Sequence, residues 1–286
     1  MSDRHFVDML RVQWTGRNSR LLCAGFDPRM DQIPAGVLGH NNTARLFNFC
    51  APVVDALARQ VCAFKPNFWF WARHLEALKA LIDYMHTMAP DVPVILDFKC
   101  GDIGDTCEEA AALAFDELAA DAVTVSPYVG QKGLAPFLRR PDKGVFVLCR
   151  TSNPGSDELQ KQLVRVQFGL DDERYIPFWE SVARRVAATW NNLGNCGLVI
   201  GANHPDELKV ARELIGDMPI LMPGIGSQAA AIEPAIMNGQ TSHGTGLVVN
   251  VSRKMLGAST GPDYVEAALH AAMDYNHQFD PFRHEQ

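Results

Sequence analysis

Three short apolar runs in this 286-residue chain end abruptly in charge. Leu21–Phe26 runs into Asp27-Pro28, and Val61–Phe64 into Lys65-Pro66-Asn67. Val92–Phe98 closes on Asp97-Phe98-Lys99-Cys100-Gly101-Asp102-Ile103-Gly104-Asp105-Thr106. Charge directly behind a buried strand is expensive unless it is paired. Asp97 and Lys99 are two residues apart, so on a strand they share a face. Asp102 follows just past the strand end, and Lys65 comes from the neighbouring run. Together they form an alternating set of two lysines and two aspartates, which stays ionised when half-buried because each charge has an opposite neighbour. A fixed ammonium in such a set can stabilise negative charge as it develops and then supply a proton. The bland alternative is an ion-pair network that plugs a barrel mouth.

A second group lies at Met222-Pro223-Gly224-Ile225-Gly226-Ser227-Gln228, where an apolar run gives way to a helical pattern. Glycines there let backbone N–H groups approach an anion, and a helix N-terminus adds a favourable dipole. The next run is followed by Asn250-Val251-Ser252-Arg253, which sets an arginine beside that loop for charge-assisted contact with phosphate. The loop alone reads equally well as a tight turn. Loop and arginine together favour a phosphate site.

The elements that must hold these groups recur regularly. Eight apolar runs, Leu21–Phe26, Val61–Phe64, Val92–Phe98, Ala122–Val125, Gly144–Leu148, Gly197–Ile200, Pro219–Met222 and Gly246–Val249, are short and continuous rather than alternating. That suits parallel strands covered on both sides. Helical patterns lie between them over Thr43–Arg59, Thr106–Ala119 (with Thr106 as a cap candidate), Tyr175–Trp190, Pro205–Ile215 and Gln228–Asn238. Alternating units in this number predict an α/β fold, a single (β/α)₈ TIM barrel over residues 1–286. In such a barrel the charged groups sit where catalytic residues are found, at the C-terminal strand ends, and phosphate commonly binds after strands seven and eight. Residues 1–20 read as a polar N-terminal extension, and 151–174 as a long loop over the active-site face, a possible lid.

Net charge is −7, from 26 basic and 33 acidic residues, which argues against nucleic acid as a partner. The first 20 residues lack the apolar core of a secretory signal, and no stretch reaches the roughly 18 apolar residues of a membrane span. The seven cysteines are scattered, with no C-x-x-C pair, as expected of reduced thiols. The expectation is a soluble cytoplasmic protein with no membrane partner.

The stretch Asp97-x-Lys99-x-x-Asp102-Ile103-Gly104-x-Thr106 resembles the signature of the orotidine 5'-phosphate decarboxylases. Gly25-Phe26-Asp27-Pro28, Phe64-Lys65-Pro66-Asn67, Pro223-Gly224-Ile225-Gly226-x-Gln228 and Ser252-Arg253 stand around it in the order and spacing of the longer bacterial branch (type 2). The resemblance spans Leu21 to Arg253. It implies a cofactor-free, metal-free carboxy-lyase of pyrimidine biosynthesis that converts orotidine 5'-phosphate to UMP and CO₂. Lys65, Asp97, Lys99 and Asp102 would form the catalytic network, with Lys99 protonating C6 and Asp97 facing the departing carboxylate. Asp27 and Lys65 would hold ribose hydroxyls. Asp102 and Thr106 would reach the partner's site in a homodimer. Pro223, Gly224, Gly226, Gln228 and Arg253 would bind phosphate, and Ser152 would read the pyrimidine amide.

The chain departs from that pattern at Cys100, where arginine is usual, at Ala229 and Ala230 in place of glycines, and at Gly25-Phe26 in place of Gly-Leu. None of these touches the four charged residues. His243 reads as a core or capping residue, and Trp69 and Trp71 as packing aromatics. His74, Glu76 and His86 share a helix without ligand geometry. Two other functions fit a barrel with these motifs: a Mg²⁺-dependent sugar-phosphate lyase and a non-catalytic nucleotide-binding barrel.

Overall fold

The computed structural model describes residues 4–16, 19–169, 172–226 and 230–283. Eight parallel strands follow one another around the barrel: β1 (Leu22–Phe26), β2 (Ala63–Pro66), β3 (Ile95–Cys100), β4 (Ala122–Val125), β5 (Gly144–Arg150), β6 (Cys196–Ile200), β7 (Ile220–Pro223) and β8 (Leu247–Val251). Seven neighbouring pairs are laddered. The eighth seam, β2 to β3, closes through the single bridges Phe64–Val94 and Asn67–Asp97. Residues of β1, β2, β4 and β6 are buried throughout, as continuous apolar strands between a packed interior and a helical jacket should be.

The jacket follows the helical periodicity with shifted boundaries. Asn42–Leu57 is capped by the Asn41 side chain, which accepts from the Ala44 N–H, so this helix starts before Thr43. The helix after β3 begins at Gly104, and Thr106 lies inside its first turn rather than capping it. The helix read as Tyr175–Trp190 begins only at Phe178. Tyr175 belongs instead to a strand, Glu173–Pro177, paired antiparallel with Leu163–Gln167. The stretch 151–174 is therefore not a bare loop. It holds a one-turn helix, Asp157–Gln160, and half of this ribbon. The last jacket helix before β8 is Ile232–Gly239.

The N-terminal segment is the larger correction. Phe6–Thr15 is an amphipathic helix whose Phe6, Leu10 and Trp14 are buried. Phe6 meets Phe146 edge-on, and the Trp14 indole N–H donates to the Leu247 carbonyl at 2.8 Å. Three apolar residues at i, i+4 and i+8 suffice to seal the end of the barrel opposite the charged strand termini, even within a sequence that is polar on average. Trp71 is fully buried, with its N–H on the Phe26 carbonyl, whereas Trp69 is exposed and not part of the core. His243 is likewise exposed, in a turn, rather than in the core. Among the described residues all seven cysteines are free thiols, and no helix is long and apolar enough to cross a membrane.

That closed end rests on Asp121, which is wholly buried. Its carboxylate accepts from Arg4 Nε (2.8 Å) and Nη2 (2.7 Å), from the Val94 N–H (2.8 Å) and from His86 Nε2 (3.2 Å). Burial would favour the neutral acid, but the bonds from Arg4 and His86 hold Asp121 well below the usual carboxylate range. A carboxylate depressed in the folded state contributes stability above its unfolded value and loses it as pH falls. Asp121→Asn should cost about 3 kcal/mol near neutral pH, because it leaves the Arg4 charge poorly matched. Urea titrations should find the gap between variant and parent narrowing below about pH 4. A pH-independent gap would show that packing, not charge, holds this end.

Candidate active site

The three charges that close β2 and β3 meet at the open mouth of the barrel. Lys65 Nζ lies 2.9 Å from Asp97 Oδ2, and Lys99 Nζ lies 2.5 Å from Asp97 Oδ1. Lys65 is 3% exposed and Asp97 8%, so both ions are nearly out of water. Burial would push the Lys65 ammonium down, but the charges of Asp97 and Asp27 and the bond to Asp97 hold it well above its usual range. Burial would likewise raise Asp97, yet the charges of Lys65 and Lys99, with hydrogen bonds from both, hold it well below the usual carboxylate range. Each ion is thus the reason the other stays charged.

Asp102 does not join them within one chain. It is exposed, its Oδ1 accepts only the Ile103 N–H at 2.7 Å, and it pairs with neither lysine. Thr106 is also exposed on the same loop. Within one chain the expected four-charge network is therefore three charges.

These charges form the floor of a cleft of about 490 Å³, a volume suited to a small ligand. Leu148, Val199, Leu221 and Phe178 give it an apolar wall opposite Lys65, Asp97 and Lys99. Ser152, Pro223 and Asn250 line this cleft and also a smaller hollow of about 150 Å³, so the two make one trough. The hollow is bounded by Gly224, Ile225, Arg253 and Lys254. Gly224 and Gly226 have φ of 114° and 101°, backbone open to glycine alone at little cost, which turns this loop around the hollow. Gln228, expected at the same end, lies outside the described residues.

Asp27 guards the same end. Its Oδ2 accepts from Ser252 Oγ at 2.6 Å, while its Oδ1 is buried with no partner. A buried carboxylate oxygen left over in this way suits a ligand hydroxyl.

Ser152 is set in place by a group that sequence reasoning passed over. Arg150 ends β5 fully buried, with Nη1 on Ser156 Oγ at 2.7 Å, Nη2 2.5 Å from Asp157 Oδ1 and Nε 3.3 Å from Glu207 Oε1. Gln160 accepts from the Thr151 N–H at 2.9 Å and donates to its hydroxyl at 2.7 Å. A Cβ on Gly201 would stand 2.8 Å from Ser152 Cα, so only glycine allows this close approach. The first half of the stretch read as a lid is thus bolted to the barrel by its own strand. The signal was available: Arg150 is a charge behind an apolar run, like Lys65 and Asp97. Thr124 was missed too, although it is the one hydroxyl inside the run Ala122–Val125.

Residues 21–269 match the model of the orotidine 5'-phosphate decarboxylase / HUMPS family. The chain is 46% identical to an orotidine 5'-phosphate decarboxylase of Azoarcus sp. (strain BH72), covering 98% of this chain and 100% of that protein. It is 45% identical to one of Ralstonia pickettii (strain 12J), covering 97% and 99%. The solved OMP decarboxylase structure from Leishmania donovani superposes with a TM-score of 0.79 at 33% identity over 98% of both chains. The chain belongs to the orotidine 5'-phosphate decarboxylase / HUMPS family.

Proposed function

We propose that this barrel decarboxylates orotidine 5'-phosphate to UMP. The observation that carries the reading is the buried Lys65–Asp97 pair, with Lys99 on the same carboxylate, beneath an apolar slot, and a glycine-lined anion hollow at the far end of the same trough. The phosphate would sit in the hollow against the N–H groups of the Pro223–Gly226 turn and Arg253, with Gln228 beside it. Asp27 Oδ1 and Lys65 would take ribose hydroxyls. Ser152 would meet the pyrimidine amide, and Leu148, Val199 and Leu221 would flank the ring.

The difficulty of the reaction is electronic. Breaking the bond from C6 to the carboxyl carbon releases CO₂ and leaves the electron pair on a ring carbon with no adjacent sink. The Lys99 ammonium, held by Asp97 at that point, would stabilise the pair as it forms and pass one proton to C6. The resulting neutral amine regains its proton from water. Asp97 would face the departing carboxylate, and binding at the phosphate and ribose would offset that like-charge contact. On this reading no metal or cofactor takes part, and the work is done in the cytoplasm.

The exposed loop Asp102–Thr106 supports a homodimer with shared sites. Ile103 is 71% exposed and Tyr128 85%, and with Trp69 they stand apolar at the same rim, a surface that association would cover. Asp102 and Thr106 of one subunit would complete the partner's trough, and the paired strands Leu163–Gln167 and Glu173–Pro177 would be the part that closes over it.

Purified protein should convert orotidine 5'-phosphate to UMP, followed by ultraviolet absorbance, with undiminished rate in EDTA. Lys99→Ala should lower kcat by at least about 10³-fold. A folded dimeric sample with no turnover would sink the proposal, and a chelator-sensitive rate would point to the metal-dependent lyases instead. Mixing equal amounts of Lys99→Ala and Asp102→Ala subunits should restore about one quarter of parental activity, because half the dimers then carry one intact site. If Asp102 acted within its own subunit, no activity would return.

A further inference from the structure

We infer that Thr124 is the positioning residue that holds Lys99 and Asp97 in their reactive arrangement, an inference that rests on the decarboxylase reading above. Thr124 stands in the middle of β4, 1% exposed, with its side chain in the wall of the cleft. The ladder between β3 and β4 is interrupted beside it, with the register shifting between Leu96 and Cys100. At the interruption the backbone changes hand. Lys99 has φ of 52°, in the left-handed region that costs a residue with a side chain about 1–2 kcal/mol. The N–H groups of Phe98 and Lys99, which lose their strand partners there, both donate to Thr124 Oγ1, at 3.0 and 2.9 Å.

That geometry fixes the direction of the third bond. A hydroxyl has two acceptor sites and one proton. Both acceptor sites are taken by N–H groups, so the proton goes to Asp97 Oδ1 at 2.9 Å. One buried oxygen therefore ties the strained turn that aims Lys99 to the carboxylate that receives Lys99. Valine has the same shape and strand preference but would leave two N–H groups unmatched and Asp97 one donor short. Serine keeps all three bonds. The hydroxyl touches neither the hollow at Gly224 nor Asp27, so it acts on the reacting end of the trough alone.

The experiment is steady-state kinetics on Thr124→Val, Thr124→Ala and Thr124→Ser with orotidine 5'-phosphate, alongside titration of each with UMP. Misplacing a reacting group by a fraction of an ångström to an ångström costs on the order of 10²-fold. Thr124→Val should lose kcat on that order while KM and the Kd for UMP change less than about threefold, and Thr124→Ser should recover to within about fivefold of the parent. Thr124→Ala gives the same test should the valine variant fail to fold. Parental kcat in the valine or alanine variant overturns the inference. So does an equal loss in UMP affinity, or a serine variant as poor as the others, since either means that Thr124 supports the fold at large. If the parent itself has no decarboxylase activity, the functional reading fails first and this inference with it. A parent that turns over beside an unaffected Thr124→Val removes the inference alone.

Discussion

Everything at the open end of this barrel depends on keeping Lys65 and Asp97 ionised where water is nearly excluded, with the more exposed Lys99 paired to the same carboxylate. A lone buried carboxylate or ammonium would neutralise rather than bear its desolvation cost. Asp97 sits between two ammonium groups at 2.9 and 2.5 Å, so charge is the favoured state for it and for the buried Lys65. The fold supplies the rigidity this needs. Lys65 is fixed by β2, Asp97 by β3, and the two strands meet at the one seam closed by single bridges rather than a full ladder.

The trough divides its labour by distance. One end has glycine backbone and an arginine suited to a phosphate, and the half-satisfied Asp27, whose charge also reaches Lys65, stands between that end and the reacting charges. The other end holds the ions under an apolar wall. Such separation is what the proposed chemistry calls for, because binding energy gathered at the phosphate can be applied where substrate and enzyme charges oppose each other. The Arg150 cluster keeps the segment between the two ends from moving independently.

Much of this was legible from residue order. Continuous apolar runs locate the eight strands to within three residues at each end, since a strand buried on both faces has no alternation to confuse with a helix. Charges behind those runs located Asp27, Lys65, Asp97 and Lys99. What escaped had physical reasons. Residues Phe6, Leu10 and Trp14 are too few to lift the average hydropathy of a polar segment, though their spacing marks a helix face. Tyr175 reads as helical because the ribbon's exposed strand carries no core signal. Asp102 is exposed within one chain, as the resemblance implies for a residue that serves a partner's site. Arg150 carries the same signal as Lys65, a charge behind an apolar run, whereas Thr124 acts through hydrogen bonds that no spacing rule encodes.

Carbon-13 NMR of aspartate carboxyls, with the Asp97 signal assigned by its loss in Asp97→Asn, reads the ionisation of Asp97. This signal should stay in its ionised position through the ordinary carboxylate range, down to the pH at which the protein unfolds. A signal that titrates at about pH 4 or above would mean that the buried set is not held charged by its own members.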